Sequence, residues 1–448
     1  MSEPLEKQRE FSPAYRNYAL GILFVGYIVN FVDRSILSLL LEPIKLELSL
    51  SDSQLGLLGG LAFAVFYTFL GIPIAALADR RSRVKILAVS MVIWSAMTAL
   101  CGLATNFWML LLARIGVGVG EAGASPPSHS LISDYFPIDK RATALSIYAL
   151  GIPFGTMIGS YVGGWGADEL GWRYTFFLVG IPGIFVAMII ALTLREPPRG
   201  LSDVKPAQSA AQKAATEAAP KPEAPQVKEV LNFLWAKVSF RHLSFAAGLH
   251  AFVSYGASTW NAPFFTRIHS MSSTALGAAL ALVAGVGAIG TFAGGYLSDK
   301  LSDRTGDKRW YFWVPGIATI IMVPFQLVAY LYDGTTAAIA SLCMVAIMGN
   351  VYLGPSFAMT QALVSLRMRA VASAILLFVL NLIGMGLGPY FVGILSDLFA
   401  PTFGVESLRY ALCIAVLVNL WAGVHYMLGA RSMRGDLLET EAMNAKLV

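Results

Sequence analysis

The sequence predicts an all-α membrane protein in which about twelve transmembrane helices form two pseudo-symmetric six-helix bundles. Three observations carry this expectation: an apolar composition, a series of runs each long enough to cross a bilayer, and a signal that recurs in both halves. Of 448 residues, 56% are hydrophobic and only 13% charged, about half the charged share of an ordinary soluble chain. A soluble protein so poor in charge cannot cover its surface, so lipid must be the solvent over much of its length. The net charge of +5 is modest, and no basic block of the kind that binds nucleic acid is present.

A helical span needs about twenty mostly apolar residues. Runs that meet this requirement cover 17–41, 54–78, 84–104, 107–132, 141–166 and 172–194, then 242–266, 273–298, 310–332, 335–360, 368–395 and 407–430. The expected organisation is an N-terminal segment 1–16, a first bundle 17–194, a linker 195–241, a second bundle 242–430 and a tail 431–448. The linker's centre, AQSAAQKAATEAAPKPEAPQ, has too little apolar surface to bury a core. The first apolar run is too long for a signal-peptide core and reads as a retained helix. Cys101, Cys343 and Cys413 each lie inside an apolar run and read as small buried hydrophobes, with neither disulfide nor metal spacing. No metal and no cofactor is expected.

Orientation follows from Lys and Arg. With a cytoplasmic N-terminus, that side carries Lys7, Arg9, Arg16, Arg80, Arg81, Arg83, Lys85, Lys140, Arg141, the linker bases, Lys300, Arg304, Lys308, Arg309, Arg367, Arg369, Arg431 and Arg434. The opposite side keeps Lys45, Arg173, Arg267 and Arg409, outnumbered by nearby acids. The expectation is a multi-pass protein of the plasma (inner) membrane, with both termini cytoplasmic.

The recurring signal lies in two loops. Leu77-Ala78-Asp79-Arg80-Arg81-Ser82-Arg83 follows the second run. Gly295-Tyr296-Leu297-Ser298-Asp299-Lys300-Leu301-Ser302-Asp303-Arg304 follows the eighth. The fifth run opens with Arg141-Ala142-Thr143-Ala144 and the eleventh with Arg369-Ala370-Val371-Ala372. These loops resemble the short-loop signature of the major facilitator superfamily, with Ala75 and Ser82 where that pattern favours glycine. The resemblance implies the major facilitator fold and an intracellular gate built from Asp79, Arg80, Arg83, Asp299, Lys300 and Arg304. An acid at one helix end can face the dipole of a helix in the other half.

A closer resemblance runs through Asn30-Phe31-Val32-Asp33-Arg34, Asp52-Ser53-Gln54-Leu55-Gly56-Leu57 and Arg114-Ile115-Gly116-Val117-Gly118-Val119-Gly120-Glu121-Ala122. It continues with Leu131-Ile132-Ser133-Asp134-Tyr135-Phe136 and Arg195-Glu196-Pro197-Pro198-Arg199-Gly200. Together they resemble the Spinster family of lipid transporters. That resemblance implies transport of a sphingolipid or lysophospholipid with proton coupling.

Charges inside spans cost about 2.5–3.5 kcal/mol each on insertion scales and mark function by default. Asp33, Arg34, Arg114 and Glu121 are four such cases, all in the first half. Arg114 and Glu121 stand two turns apart on one face, and the four can form a neutral cluster. One reading is a structural ion-pair network. The other gives Asp33 and Glu121 to proton coupling, and Arg34 and Arg114 to an anionic head group that a guanidinium binds bidentately. In the second half Tyr255, Asn261, Asn350 and Asn381 are candidate substrate contacts, with helix-to-helix hydrogen bonds as their bland alternative. Tyr352 belongs with them as a cavity residue.

Gly155-Thr156-Met157-Ile158-Gly159-Ser160-Tyr161-Val162-Gly163-Gly164 resembles an antiporter motif with Ser160 in place of proline, and reads as close helix packing. Gly285-Val286-Gly287-Ala288-Ile289-Gly290 matches a nucleotide-binding fingerprint only in letters, because no βαβ unit surrounds it. No nucleophile–base pair or phosphate loop argues for an enzyme. The expectation is a monomeric, proton-coupled secondary transporter of a lipid-like amphiphile, working by alternating access. A carrier of small organic anions or drugs is the alternative.

Overall fold

The computed structural model describes residues 11–202 and 226–445. Ten of its helices are long and apolar enough to cross a membrane. One of these, Arg369–Met443, holds two segments parted by a turn at Gly404–Glu406, and the polar-rich Val238–His269 supplies a further helix. In order, the helices are α1 (Pro13–Leu48), α2 (Asp52–Ala78), α3 (Arg83–Cys101), α4 (Phe107–Tyr135), α5 (Ile138–Glu169) and α6 (Gly171–Thr193). The second half holds α7 (Val238–His269), α8 (Ser273–Thr305), α9 (Trp310–Leu331), α10 (Thr335–Ala362), α11 (369–403) and α12 (Ser407–Ala445).

Several helices outrun the apolar spans that predict them. Helix α1 continues to Leu48, where Ser49 takes a left-handed φ of 52° and donates its N–H to the Lys45 carbonyl. Helix α8 carries the charged stretch from Asp299 to Arg304 as helix, and α12 continues through 431–445. A short helix, Val227–Ala236, forms within the stretch that composition assigns to the linker, and α7 starts at Val238. Hydropathy reports where lipid ends, whereas helical hydrogen bonding stops only where a cap or glycine interrupts it.

Five helices are interrupted. Helix α4 breaks between Glu121 and Ser125 ahead of Pro126, α5 at Leu150, and α10 between Gly349 and Leu353. Helices α2 and α11 each contain a wide π-type turn, at Leu57–Leu61 and Leu380–Leu387. Those two turns pack against one another across the halves, where Gly60 admits the Met385 and Gly386 carbonyl oxygens. Such irregular backbone is tolerated at membrane depth only where protein or a cavity covers it.

Small residues let the helices meet. Gly155, Gly159 and Gly163 of α5 lie against α1 at Ile28, Val32 and Ile36. Gly287, Gly290 and Gly294 of α8 lie against α10. Both glycine runs therefore serve packing. Across the halves, α5 packs on α8, α2 on α11 and α1 on α7.

The end of the molecule opposite the linker is shut by contacts between the halves. Arg267 of α7 bonds Glu42 of α1 (2.7 Å) and both carboxylate oxygens of Asp52 (2.7 and 2.8 Å), while Lys45 reaches Asp52 at 2.5 Å. At the linker end the described ion pairs stay within one half. Arg409 pairs with Asp333 and Glu406, and Arg173 with Glu47, so the bases of the far end are neutralised in place.

Of the residues expected at the intracellular gate, Arg83 makes its described bonds within the first half. Its guanidinium is buried inside the first half, where it donates to Asp134, to Glu196 (2.7 Å), to Ser130 Oγ (2.8 Å) and to the Pro197 carbonyl (2.7 Å). It clamps the start of the linker onto α3 and α4 and has no described bond to the second half. Burial pushes the Glu196 carboxyl up, but the Val84 N–H and the Arg83 guanidinium prevail and hold it below its ordinary value of 4.5. The clamp's contribution is therefore complete above about pH 4.5 and is lost as pH falls through the folded-state value. Arg83→Ala is expected to cost about 3 kcal/mol, the low end for a broken buried pair, by leaving the buried Asp134 without its counter-charge; the exposed Glu196 loses less. Melting curves should show the gap between wild type and Glu196→Gln narrowing below that pH; a constant gap would refute the ionised clamp.

Candidate functional site

Asn30, Asp33 and Arg34 lie midway along α1, and Arg114 and Glu121 lie on the first segment of α4. Glu121 is the last residue before the break at Ala122–Ala124, where a helix without its next turn leaves room for a carboxylate to point across. The Arg34 Nε donates to Glu121 Oε2 at 2.5 Å. The pair is lopsided: the Glu121 side chain is wholly buried while that of Arg34 is 21% exposed. Both Asp33 oxygens, the second Glu121 oxygen and the Arg114 Nε and Nη1 are buried without a hydrogen-bond partner. Trp94 and Thr98 of α3 face Asp33, and Arg114 stands within electrostatic range of both acids.

Aromatic rings wrap the guanidiniums. Arg34 lies over Phe31, Phe63 and Tyr67 at 5.2, 5.0 and 4.7 Å, and Phe63 also faces Arg114 at 5.6 Å. Cation–π contacts of this kind strengthen as water is excluded. Tyr255 of α7 stands within electrostatic range of Arg34 and Tyr67 from the other half.

The sequence-predicted residues divide on this geometry. Asp33, Arg34, Arg114 and Glu121 come together, with Tyr255 in electrostatic range of Arg34. Asn261 instead accepts a hydrogen bond from the Tyr330 hydroxyl (2.8 Å), and the Asn350 amide donates to the Gly287 carbonyl (3.1 Å). Both act as helix-to-helix ties within the second half. Asn381 is buried on the wide turn of α11. Tyr352, beside the α10 break, packs on His250 at 4.3 Å. At the linker end Asp299 accepts from the Tyr311 hydroxyl (2.6 Å) and Lys300 donates to Tyr296 (3.1 Å), while Asp79, Arg80 and Arg304 are exposed.

The sequence alone overlooks Phe63 and Tyr67, whose spacing of four puts both on one face of α2 toward Arg34. It also overlooks Trp94 and Thr98, likewise four apart on α3. Chemically, the site offers a partly accessible guanidinium in an aromatic frame. Behind it are two buried carboxylates, three of whose four oxygens make no described hydrogen bond.

Known proteins share this architecture. The family model described as Major Facilitator Superfamily matches residues 23–389. A crystal structure of a bacterial homolog of the human lysosomal transporter Spinster, inward-facing and unoccupied, superposes with a TM-score of 0.85 at 36% identity, covering 95% of this chain and 99% of that one. An MFS-type efflux pump of Mycolicibacterium smegmatis is 31% identical, with 94% of each chain covered. Protein spinster homolog 3 of Danio rerio is 26% identical over 96% of this chain and 88% of its own. Shared over nearly the whole length are the helices, the paired bundles and a family of transporters rather than enzymes. The chain belongs to the major facilitator superfamily and is a multi-pass membrane transporter resembling Spinster.

Proposed function

We propose that this protein moves an anionic amphiphile of the sphingolipid or lysophospholipid class across the inner membrane, as a monomer, by proton-coupled alternating access. The observation that carries this reading is Arg34. It is partly exposed, framed by Phe31, Phe63 and Tyr67, with Tyr255 of the other half within electrostatic range. A guanidinium suits a phosphate head, and the uncharged spans of the second half suit a tail. Glu121 and Asp33 are the proton carriers in this scheme, Arg114 supports the head-group site, and Asn381 is the further polar contact from the second half. A zebrafish relative named as the sphingosine-1-phosphate transporter SPNS2, 33% identical over 41% of this chain, supports a lipid substrate.

A second reading, a proton-coupled carrier of small organic anions or drugs, draws on the full-length similarity to the mycobacterial efflux pump. Flux into proteoliposomes separates the two. The lipid reading expects saturable movement of a lysophospholipid and none of a small carboxylate; the reverse result would replace it.

In the proposed orientation the linker end is cytoplasmic, as the loop bases suggest. The shut far end then faces outward, and the conformation is inward-facing. Asp79 and Asp299 would make their contacts with the opposite half when the cytoplasmic side closes. Asp79→Asn and Asp299→Asn are thus expected to enrich the inward-open population. Spin labels on the cytoplasmic ends of α4 and α10 should report longer distances, and unchanged distributions in both variants would remove the gate from these residues.

A further inference from the structure

The far end is held shut at two places related by the internal repeat. Each uses the same division of labour at a helix start. Helix α2 is capped by Ser51, whose hydroxyl accepts the Gln54 N–H; helix α8 is capped by Ser272, whose hydroxyl accepts the Ala275 N–H. A single serine leaves the first two amides of its helix without a partner. In both helices an aspartate of the opposite half supplies what is missing. Asp397 of α11 accepts the N–H groups of Asp52 and Ser53 at 2.9 and 2.7 Å. Asp168 of α5 accepts those of Ser273 and Thr274 at 3.2 and 2.7 Å, and the Thr274 hydroxyl at 2.8 Å.

The helices that bring the aspartates are matched as well. Four residues before Asp168 stands Gly164, and four before Asp397 stands Gly393. A Cβ at Gly164 would collide with the Ser273 carbonyl oxygen, and one at Gly393 with the Asp52 carbonyl oxygen. One turn of helix therefore pairs a glycine that admits the foreign helix start with a carboxylate that caps it. The sequence spells this twice, as Gly164-Trp165-Gly166-Ala167-Asp168 and Gly393-Ile394-Leu395-Ser396-Asp397.

We propose that Asp168 and Asp397 are positioning residues for the transport cycle: twin latches that hold the far end closed by capping a helix of the other half. The proposal rests on the alternating-access reading above, but not on any substrate. A carboxylate at a helix N-terminus gains from both the amides and the dipole. The amides it releases on opening pass to water, so each latch is modest and reversible. The ion pairs of Arg267 gather at the α2 latch, which makes the α8 latch the cleaner one to test.

The test uses spin labels at Leu46 and Val405, exposed positions on opposite halves of the far end. Distances are recorded in reconstituted protein without ligand. Asp168→Ala and Asp397→Ala should each raise the ratio of open to closed far ends roughly two- to fivefold, and together about tenfold, as expected for a carboxylate at a helix terminus. Asp168→Asn and Asp397→Asn, which keep size and an acceptor, should fall between wild type and alanine, and they serve if an alanine variant does not fold. Asp168→Glu should restore much of the closed population. An unchanged distribution in the folded double variant overturns the latches. A wrong substrate class would leave these distances as they are, so the two failures are distinguishable.

Discussion

Glu121→Gln is expected to abolish stimulation of transport by a proton gradient while the protein still folds. Glutamine keeps the shape of the side chain and an oxygen that can accept the Arg34 Nε–H, now 2.5 Å from Glu121 Oε2. It has no proton to give up. Arg34 is left without its counter-charge, but it is 21% exposed and beside three rings, so the cost falls below the 3–5 kcal/mol of breaking a fully buried pair. The measurement is uptake into proteoliposomes with and without an imposed pH difference. If the variant still responds to the gradient, the proton belongs to Asp33, whose oxygens have no hydrogen-bond partner.

The second large effect separates the two arginines. Arg34→Lys retains charge but loses the planar fork, and should weaken a phosphate-bearing amphiphile about tenfold, the lower range of a lost charge-assisted hydrogen bond. Its affinity for an uncharged analogue with the same tail should not change. Arg114 is buried beside Asp33 and Phe63, so Arg114→Lys should reduce stability and weaken both ligands alike. Shortening the tail should cost about 0.8 kcal/mol per buried methylene. Equal weakening of charged and uncharged ligands by Arg34→Lys would make that arginine structural and end the phosphate-head reading.

What could be read from the sequence follows from what lipid penalises. A charge in a span is costly, so Asp33, Arg34, Arg114 and Glu121 stand out one by one. Aromatic residues are ordinary in an apolar helix, and nothing in the string of letters marks Phe63 and Tyr67 as facing Arg34. Asn261 and Asn350 are visible as polar residues, but their partners, Tyr330 and the Gly287 carbonyl, lie 69 and 63 positions away. Arg83 matches a gate motif by its neighbours in sequence. Its burial is set by Glu196, 113 positions on. Helix ends were the least legible part, since Asp299 to Arg304 are too polar for lipid and still helical.

The confinement of the intramembrane charges to one half has an electrical consequence. Two carboxylates and two guanidiniums sum to zero, so with both acids ionised the cluster feels no net force from a membrane potential. Each proton it binds adds one elementary charge, worth about 2.3 kcal/mol per 100 mV if carried across the full field. On the proposed proton-coupled reading, the membrane potential therefore acts on the singly protonated cluster and not on the fully ionised one, before the charge of any bound substrate is added. If the proposed coupling holds, the return of the unprotonated, substrate-free carrier should be electrically silent, and currents from reconstituted protein should report the proton charge net of the anionic cargo.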